Sequence, residues 1–380
     1  MRADRWRWVG VIGLMLCAGL ISIHLVTGFP DPMEWTDYEE SFADAVAYLM
    51  ATRAAWDGNG AATPTDELAR MYEDIPDFPY RLVYPQMPAA LLVQAPTLAM
   101  SPTTVVNWGA FFTLATLGVV VAACASYGHI KVKVLVWLAP LIAVSPQLII
   151  GYEFGKFGTG AIPLVVAGLL FLNAGRFQFA GLAFGTAAAL QAWPAILLVA
   201  LLRIGQKRAT AAGFGIALLL TIVALALPGV DLFGTVSGLR VGGLSHVLNP
   251  TNGSLAGLIS FAGIAPHTAS ILGLLVGAGL WILGIRLLRD DSMIMGWSIV
   301  CGLLASPLSW GLYWLTALPV AARLMTTGVR TSQLLAGLAV MAILLSFAGF
   351  GLALAGLLLL GGFLVSSADG SRVEAAHGLP

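Results

Sequence analysis

Long apolar runs, separated by short polar breaks, make up most of the chain. The first run, Val9 to Gly28, has about 20 residues, which is enough to cross ~30 Å of hydrocarbon. An apolar helix satisfies its own backbone hydrogen bonds, so the pattern predicts an all-α, multispanning membrane protein. The later runs occupy approximately residues 83–101, 103–126, 132–150, 157–173, 178–190, 193–203, 209–228, 268–288, 292–305, 308–324, 331–347 and 350–366.

The runs 178–190 and 193–203 are too short to span a membrane singly. The segment Gln191-Ala192-Trp193-Pro194 interrupts them, and proline removes a helical hydrogen bond. We therefore predict a hairpin of two short helices and a helical bundle of about 12 spans.

Basic residues set the expected orientation. Arg2, Arg5 and Arg7 precede the first run, which places its start in the cytoplasm. That run exceeds a typical signal-peptide core and has no clear cleavage site, so we predict a retained anchor. The remaining basic clusters can all be placed inside, with both termini cytoplasmic: Lys131/Lys133, Arg176, Arg203/Lys207/Arg208, Arg286/Arg289 and Arg323/Arg330. We expect one transmembrane domain over 1–366 and a disordered cytoplasmic tail over 367–380.

The segment 29–102 is predicted to be an extracytoplasmic loop with interfacial helices. Twelve of the 19 acidic residues lie between Phe29 and Leu82, against three arginines. Thr36 to Thr52 alternates acidic and apolar residues with helical periodicity, which predicts an amphipathic helix near the interface. The turn Asp57-Gly58-Asn59-Gly60 is expected to end it.

Composition supports a membrane protein and excludes a nucleic-acid partner. Hydrophobic residues make up 58% of the 380 residues and charged residues only 10%, and the mean hydropathy is +0.89. The formal net charge is zero, so no long-range field attracts nucleic acid. Cys17, Cys124 and Cys301 lie in apolar runs without metal-ligand spacing, and they predict neither disulfides nor a zinc site.

With this topology the remaining polar clusters all fall on the outer face. A transporter would distribute polar groups across the midplane, often in two repeated halves, and the chain has no convincing repeat. One-sided polarity under a large loop favours an enzyme with a cavity at the interface. The clusters are Asp37-Tyr38, Tyr84-Pro85, Tyr152 to Lys156, Gln191 to Trp193, Asp231 to Ser254 and Ser306 to Tyr313.

Asp37, beside Tyr38, is the leading catalytic candidate. A carboxylate at the mouth of the cavity can act as a general base that takes a proton from an acceptor hydroxyl. Aspartate is also a frequent helix cap, and Asp37 precedes the predicted helix, so a capping role stays open. Nearby acids, namely Glu34, Glu39 and Glu40, compete with it.

Glu153 and Lys156 follow an apolar run on one helical face. The lysine is a candidate to hold a lipid-linked phosphate, and the alternative is that both residues anchor a helix end at the interface. The glycines around them, Gly151 to Gly160, have no nucleotide-loop spacing.

Two further stretches combine groups that can bind a sugar. Arg240, His246, Asn252 and Ser254 can bind hydroxyls and a phosphate, and the alternative is a hydrated loop in which Asn252 or Ser254 caps the short helix 254–262. Aromatic residues near the bilayer stack on sugars or form an interfacial belt. The second stretch supplies Ser309, Trp310 and Tyr313.

The order of these motifs resembles the integral-membrane GT-C glycosyltransferases, and more narrowly glycosyltransferase family 87, over about residues 5 to 325. The family includes actinobacterial mannosyltransferases that depend on polyprenyl-phosphate mannose. The matching motifs are Asp37-Tyr38, Tyr84-Pro85-Gln86-Met87-Pro88-Ala89-Ala90, the bend Gly151 to Lys156, Asn173-Ala-Gly-Arg176, Ala180-Gly181-Leu-Ala-Phe-Gly185, Gln191-Ala-Trp-Pro194, Asn252-Gly253-Ser254-Leu255 and Ser306-Pro-Leu-Ser-Trp310.

The resemblance implies a GT-C-type bundle in a bacterial plasma membrane and an inverting hexosyl transfer with Asp37 as the base. The implied partners are a polyprenyl-phosphate sugar, a lipid or glycolipid acceptor at the outer face, and the surrounding membrane lipids. The substrate-binding residues that we expect from the motifs and from residue chemistry together are Tyr38, Tyr84, Glu153, Lys156, Gln191, Trp193, Arg240, His246, Asn252, Ser254, Ser309, Trp310 and Tyr313. No metal or other cofactor is expected, because the acids of the loop are dispersed.

Three positions depart from the family pattern. Gln191 replaces a usual lysine, Lys156 replaces a frequent glutamine, and Leu312-Tyr313 replaces one or two histidines. One hypothesis is compensation, in which Lys156 supplies the missing cation and His246 the missing imidazole. The alternative function is a non-catalytic lipid or glycan carrier that keeps the architecture.

Overall fold

The computed structural model describes residues 43–72, 87–99, 102–153, 160–234, 236–237, 244, 247–346 and 348–377. Every regular element of two or more residues in these ranges is a helix. The α-helices are α1 Ala43–Asp57, α2 Thr65–Ala69, α3 Ala90–Gln94, α4 Pro102–Ser126, α5 Val132–Ala143, α6 Pro146–Glu153, α7 Ala161–Asn173, α8 Phe177–Leu190, α9 Ala195–Arg203, α10 Lys207–Leu225, α11 Leu255–Phe261, α12 Pro266–Leu287, α13 Asp291–Ala305, α14 Leu318–Met325, α15 Arg330–Leu345 and α16 Gly349–His377. Two 3-10 helices, Ala95–Ala99 and Gly311–Ala317, join them.

Three segments in the described ranges are long and apolar enough to cross a membrane. They are α10, α12 and the part of α16 from Gly349 to Asp369. Most side chains of α10 and α12 face outward, since only 22% of each window is buried, whereas 56% of the α16 window is buried. The all-helical membrane architecture is therefore confirmed, whereas the total of about 12 spans stays a prediction.

The helix is interrupted at residues 191–194, as the presence of Pro194 predicts. Helix α8 ends at Leu190 and α9 begins at Ala195. Gly181 of α8 lies against Ala209 of α10, and Gly185 lies against Gly213, so α8 and α10 run in the same direction. The short helix between them consequently runs the opposite way, which confirms the hairpin.

The contact between α8 and α10 is a close approach of two backbones. A Cβ on Gly181 would lie 2.1 Å from the carbonyl oxygen of Ala209, and a Cβ on Gly185 would lie 2.1 Å from that of Gly213. Small residues four apart allow helices in membranes to pack this closely. The Gly181 to Gly185 motif therefore acts in packing.

Helix α13 forms the centre of the bundle. Its residues from Ile294 to Ala305 are all buried. Trp297 donates from Nε1 to the carbonyl oxygen of Leu280 at 3.0 Å and meets Phe363 edge to face, with ring centroids 5.9 Å apart. Neighbouring α12 runs antiparallel to α13, since Gly277 lies against Ala305 and Gly284 against Trp297.

Helix α1 covers part of the amphipathic interfacial helix predicted over Thr36–Thr52, and the interfacial position of that helix stays a prediction. Residues 36–42 lie outside the described ranges, and α1 runs from Ala43 to Asp57, ending at the predicted turn. Its described side chains are mostly buried, because α1 docks on the chain that follows α10: Gly229 donates to the carbonyl oxygen of Ala55 at 2.7 Å. The alanines of α1 make this close approach possible. Because alanine is only weakly hydrophobic, the periodicity of hydrophobic residues does not reveal the buried face.

The C-terminal helix also differs from expectation. Helix α16 continues to His377, so the backbone is helical through most of the tail 367–380, for which composition predicts disorder. Extending an existing helix costs little, because the unfavourable step is nucleation.

We predict that Gly185→Ala lowers the free energy of unfolding by about 1–3 kcal/mol, because the added methyl group meets a backbone oxygen that cannot move freely. Thermal unfolding in detergent measures the change. Gly215, also on α10, is the matched control: a Cβ there meets nothing within 4 Å. Gly215→Ala should leave stability unchanged or raise it by up to about 1 kcal/mol. Equal effects of the two substitutions would contradict the close packing.

Candidate functional site

The bundle has one basic end. Several turns meet there: Tyr127 donates from its hydroxyl to the carbonyl oxygen of Ser292, Thr326 donates to that of Gly128, and Asn173 donates to that of Ser126. Because α8 and α10 are parallel and α7 is antiparallel to α8, the turns before α8 and α10 lie at this end too. The basic residues of these turns are Lys131, Lys133, Arg176, Arg203, Lys207, Arg208, Arg286, Arg289, Arg323 and Arg330.

The opposite end gathers polar motifs that are far apart in sequence. Gly302, near the end of α13, lies against Trp193 of the hairpin break. Gly349, at the start of α16, lies against the backbone of Asn252. Helix α1 docks at this same end, beyond α10. The motifs around Gln191, Asn252 and Ser309 thus lie together, away from the basic loops.

Asn252 joins the two loops of this end. Its Nδ2 donates to the carbonyl oxygens of Pro307 at 2.9 Å and Val247 at 3.3 Å. Its Oδ1 accepts from the backbone N–H groups of Ser309 at 3.0 Å and Ser254 at 3.2 Å. An isolated antiparallel β-bridge between Asn252 and Trp310 lies alongside these contacts. We name residues 249–254 together with 306–310 the paired loops.

Ser254 caps a helix, as one of the two sequence interpretations proposed. Its Oγ accepts from the N–H of Gly257 at 3.0 Å at the start of α11. Ser309 is fully buried, and its Oγ has no hydrogen-bond partner. Its backbone makes two hydrogen bonds: its N–H donates to Asn252, and its carbonyl oxygen accepts from the N–H of Gly253 at 2.8 Å. Ser254 therefore stabilises this region through its side chain, whereas Ser309 does so through its backbone.

The 3-10 helix Gly311–Ala317 follows the paired loops and is buried from Leu312 onward. It contacts helices α6, α7, α13, α14, α15 and α16. A 3-10 turn has poorer hydrogen-bond geometry than an α-helix, so its position depends on these surrounding contacts. Tyr313 is consequently held at the junction of several helices.

Tyr313 contacts the hairpin break directly. The Nε2 of Gln191 donates to the hydroxyl of Tyr313, and the Nε1 of Trp193 donates to the Oε1 of Gln191 at 3.3 Å. Gln191 and Trp193 each expose 9% of their surface, and Tyr313 exposes 7%. The predicted site residues of the hairpin break and of the Ser306–Tyr313 motif thus form one hydrogen-bonded group, which we name the Gln191 triad.

Gln147 belongs to this end and was missed by the sequence analysis. It is 2% exposed on α6, and its Nε2 donates to the carbonyl oxygen of Ser346 at 2.7 Å. Its Oε1 and the Nε1 of Trp314 are buried polar atoms without a hydrogen-bond partner. The available signal was a single amide inside an apolar run, since polar groups at membrane depth are costly and usually have a role.

Several predicted site residues lie outside the described ranges: Asp37, Tyr38, Tyr84, Lys156, Arg240 and His246. For Glu153 only the backbone is described, at the end of α6, and α6 packs against the 3-10 helix that carries Tyr313. Among the described residues, no group of three or more His, Cys, Asp or Glu side chains is placed to hold a metal ion.

The described part of the acidic loop contains a small polar cluster. Tyr72 donates to the Oδ2 of Asp57 at 3.3 Å, and the Arg53 guanidinium lies 5.7 Å from the Tyr72 ring centroid. Burial raises the pKa of Tyr72, and the neighbouring Asp57 carboxylate adds to the rise. The phenol therefore keeps its proton at neutral pH and acts as a hydrogen-bond donor.

Comparison with known proteins agrees with these motifs. Residues 83–309 match the sequence model of glycosyltransferase family 87. The chain is 27% identical over 276 residues to a polyprenol-phosphate-mannose-dependent alpha-(1-2)-phosphatidylinositol pentamannoside mannosyltransferase of Mycobacterium tuberculosis (strain CDC 1551 / Oshkosh). That alignment covers 65% of this chain and 59% of the mycobacterial protein, so the chain spans less than two thirds of that relative's length. No solved structure matches the chain.

We predict that the two ends of the bundle lie on opposite sides of the membrane. Met71, which is 52% exposed near α1, and Lys207, at the start of α10, are suitable for cysteine labelling. In a Cys17→Ser background, an impermeant maleimide added to intact cells should label Met71→Cys and should label Lys207→Cys only after lysis. Labelling of both from outside would contradict the arrangement.

Proposed function

The chain belongs to glycosyltransferase family 87, and on that premise we propose that it transfers a hexose, mannose in particular, from a polyprenyl-phosphate sugar to a hydroxyl group of a lipid or glycolipid. The observation that carries the proposal is the gathering of Gln191, Asn252 and Tyr313 at the end of the bundle where the acidic loop folds. The mycobacterial relative, which depends on polyprenol-phosphate mannose, supports the choice of donor and sugar.

The distribution of charge supports an extracytoplasmic active site. Lys and Arg residues in short loops favour the cytoplasmic side, and ten of them lie at the end opposite the Gln191 triad. We place the protein in a bacterial plasma membrane, with both termini in the cytoplasm. A donor carried on a lipid suits this orientation, because nucleotide sugars are cytoplasmic.

In the proposed mechanism, Asp37 removes the proton of the acceptor hydroxyl as the oxygen attacks the anomeric carbon. The bond from that carbon to the donor phosphate breaks, and polyprenyl phosphate leaves with the electron pair. A single displacement of this kind inverts the anomeric configuration. The family match begins at residue 83, so the role of Asp37 rests on the Asp37-Tyr38 motif in the sequence.

The other site residues divide between the two substrates. Lys156, Arg240 and His246 are proposed to neutralise the donor phosphate, and Tyr38, Tyr84 and Glu153 to orient the hydroxyl groups. Charge on the leaving phosphate is stabilised by fixed cations and N–H donors in a partly dehydrated site. The buried Gln191 triad and the paired loops would form the wall that holds these groups in position. No cofactor is needed for this displacement.

The first test is the transfer reaction itself. Purified protein in nanodiscs, given radiolabelled polyprenyl-phosphate mannose and a membrane-lipid extract, should produce a labelled lipid. Asp37→Asn removes the base and should reduce the rate by about 10²–10⁴-fold.

Asp57→Asn is the matched control, because Asp57 ends α1 and contacts Tyr72. It should leave the rate close to that of the wild type. An active Asp37→Asn variant would remove Asp37 from the mechanism. Absence of transfer with every polyprenyl-phosphate sugar would instead favour a carrier that keeps the architecture.

A second test uses two buried tyrosines whose hydroxyl groups each take part in a hydrogen bond. Tyr313 accepts a hydrogen bond from Gln191 at the end of the bundle that contains the polar motifs, and Tyr127 donates to Ser292 at the basic end. Replacing either tyrosine by phenylalanine should lower the free energy of unfolding by about 0.5–1.5 kcal/mol. Only Tyr313→Phe should also slow transfer, by about 10- to 100-fold, because misplacement near a reacting centre is costly.

Thermal unfolding and the transfer assay, run on the same preparations, separate the two effects. Equal loss of transfer in Tyr127→Phe and Tyr313→Phe would show that the loss follows from stability and would exclude a site role for Tyr313.

A further inference from the structure

We propose that Asn252 is a positioning residue, whose side chain holds the paired loops together and thereby sets the position of the Gln191 triad. This inference rests on the proposed function, because positioning matters only if transfer occurs at this end of the bundle. It differs from the sequence-based expectation that Asn252 binds substrate.

The first argument is that the Asn252 amide is fully engaged. A primary amide has two N–H donors and an oxygen with two lone pairs. Its Nδ2 donates to Pro307 and Val247, and its Oδ1 accepts from Ser309 and Ser254. All four of these hydrogen bonds are made with backbone groups, and the residue is only 2% exposed. No group of this side chain is left to bind a sugar.

The second argument is the short path from Asn252 to the triad. The β-bridge pairs Asn252 with Trp310, and the carbonyl oxygen of Trp310 accepts from the N–H of Tyr313 at 2.9 Å. That bond opens the 3-10 helix Gly311–Ala317, for which Trp310 is the N-terminal flanking residue. A shift of the paired loops therefore moves the first turn of this helix, and with it the hydroxyl that Gln191 contacts.

The third argument is that the bonded atoms of Ser309 are in its backbone. Its N–H donates to Asn252 and its carbonyl oxygen accepts from Gly253, whereas its hydroxyl is buried without a partner. The serine side chain is thus free to be replaced by a reporter of similar size. Its complete burial makes it sensitive to any separation of the loops.

The first experiment measures loop separation without substrate. In a Cys17→Ser background, Ser309→Cys should react slowly with a small maleimide in detergent, because position 309 is buried, as are Cys124 and Cys301. Adding Asn252→Ala should speed the reaction by about tenfold or more, since the paired loops lose the two hydrogen bonds that Asn252 makes across them, to Pro307 and Ser309. The background without Ser309→Cys should stay unlabelled.

Ser254→Ala is the matched control for a general loss of stability. It removes the helix cap on Gly257 and a long, 3.4 Å hydrogen bond from the Ser254 hydroxyl to Pro307, and it keeps all four bonds of the Asn252 amide. Loss of a helix cap lowers stability, so the unfolding temperature of the variant should fall while position 309 stays protected from the maleimide. Equal labelling in the Ser254→Ala and Asn252→Ala variants would overturn the proposal. If Asn252→Ala does not fold, Asn252→Ser, which keeps a polar group, should give a smaller acceleration in the same direction.

The second experiment tests whether Asn252 acts through Tyr313. In the transfer assay, Asn252→Ala should lower kcat by at least about tenfold and change the donor KM little, because the residue is placed away from the substrate. In a Tyr313→Phe background, Asn252→Ala should lower kcat much less than it does in the wild type, since both substitutions disturb one arrangement. Ser254→Ala should have the same effect in both backgrounds.

Fully additive losses in kcat for Asn252→Ala and Tyr313→Phe would exclude the path through the 3-10 helix. A raised donor KM with unchanged kcat would return Asn252 to the role of a substrate ligand. Failure of the proposed function would show differently: the wild type would transfer no sugar, while the maleimide result would still report on the loops.

Discussion

A peptide group that leaves a helix inside an apolar bundle must find a new hydrogen-bond partner, because the surroundings offer no water to replace the lost bond. At the end of the bundle that contains the Gln191 triad, buried amide side chains form hydrogen bonds with backbone groups that have left a helix. Asn252 bonds four backbone groups, and Gln147 bonds the carbonyl oxygen at the end of α15. Irregular loops, which place functional groups more freely than helices do, are tolerated there for this reason.

The rest of the bundle depends on how closely its helices approach. The glycine contacts between α8 and α10 fix the direction of the hairpin, and the glycines of α12 admit Ala305 and Trp297 of the central helix. Since the hydrophobic effect does not drive helices together in lipid, contact between small residues supplies much of the packing. The site end keeps its shape because the helices beneath it are fixed in this way.

The sequence predicted the class of the fold and the clustering of its polar motifs well, since both follow from hydropathy, proline and the placement of basic residues. The break at Gln191 to Pro194 is an example, because Pro194 cannot continue the helix. The buried face of α1 was not predictable, since alanine has weak hydrophobic contrast. The hydrogen bonds that occupy the whole Asn252 amide were not predictable either, because an amide in a polar stretch can bind backbone or ligand equally well. The partner loop that decides the matter lies more than 50 residues away in sequence.

The docking of α1 on the end of α10 also has a consequence for biogenesis. Ala55 and Gly229, which bond to each other, are separated by roughly 170 residues, and synthesis at ~5–20 residues per second takes on the order of 10–35 seconds to cover that distance. In the proposed topology, the first loop crosses the membrane before its partner has been made. In that topology we expect the excess of acidic residues in the loop to keep it soluble until its partner is made.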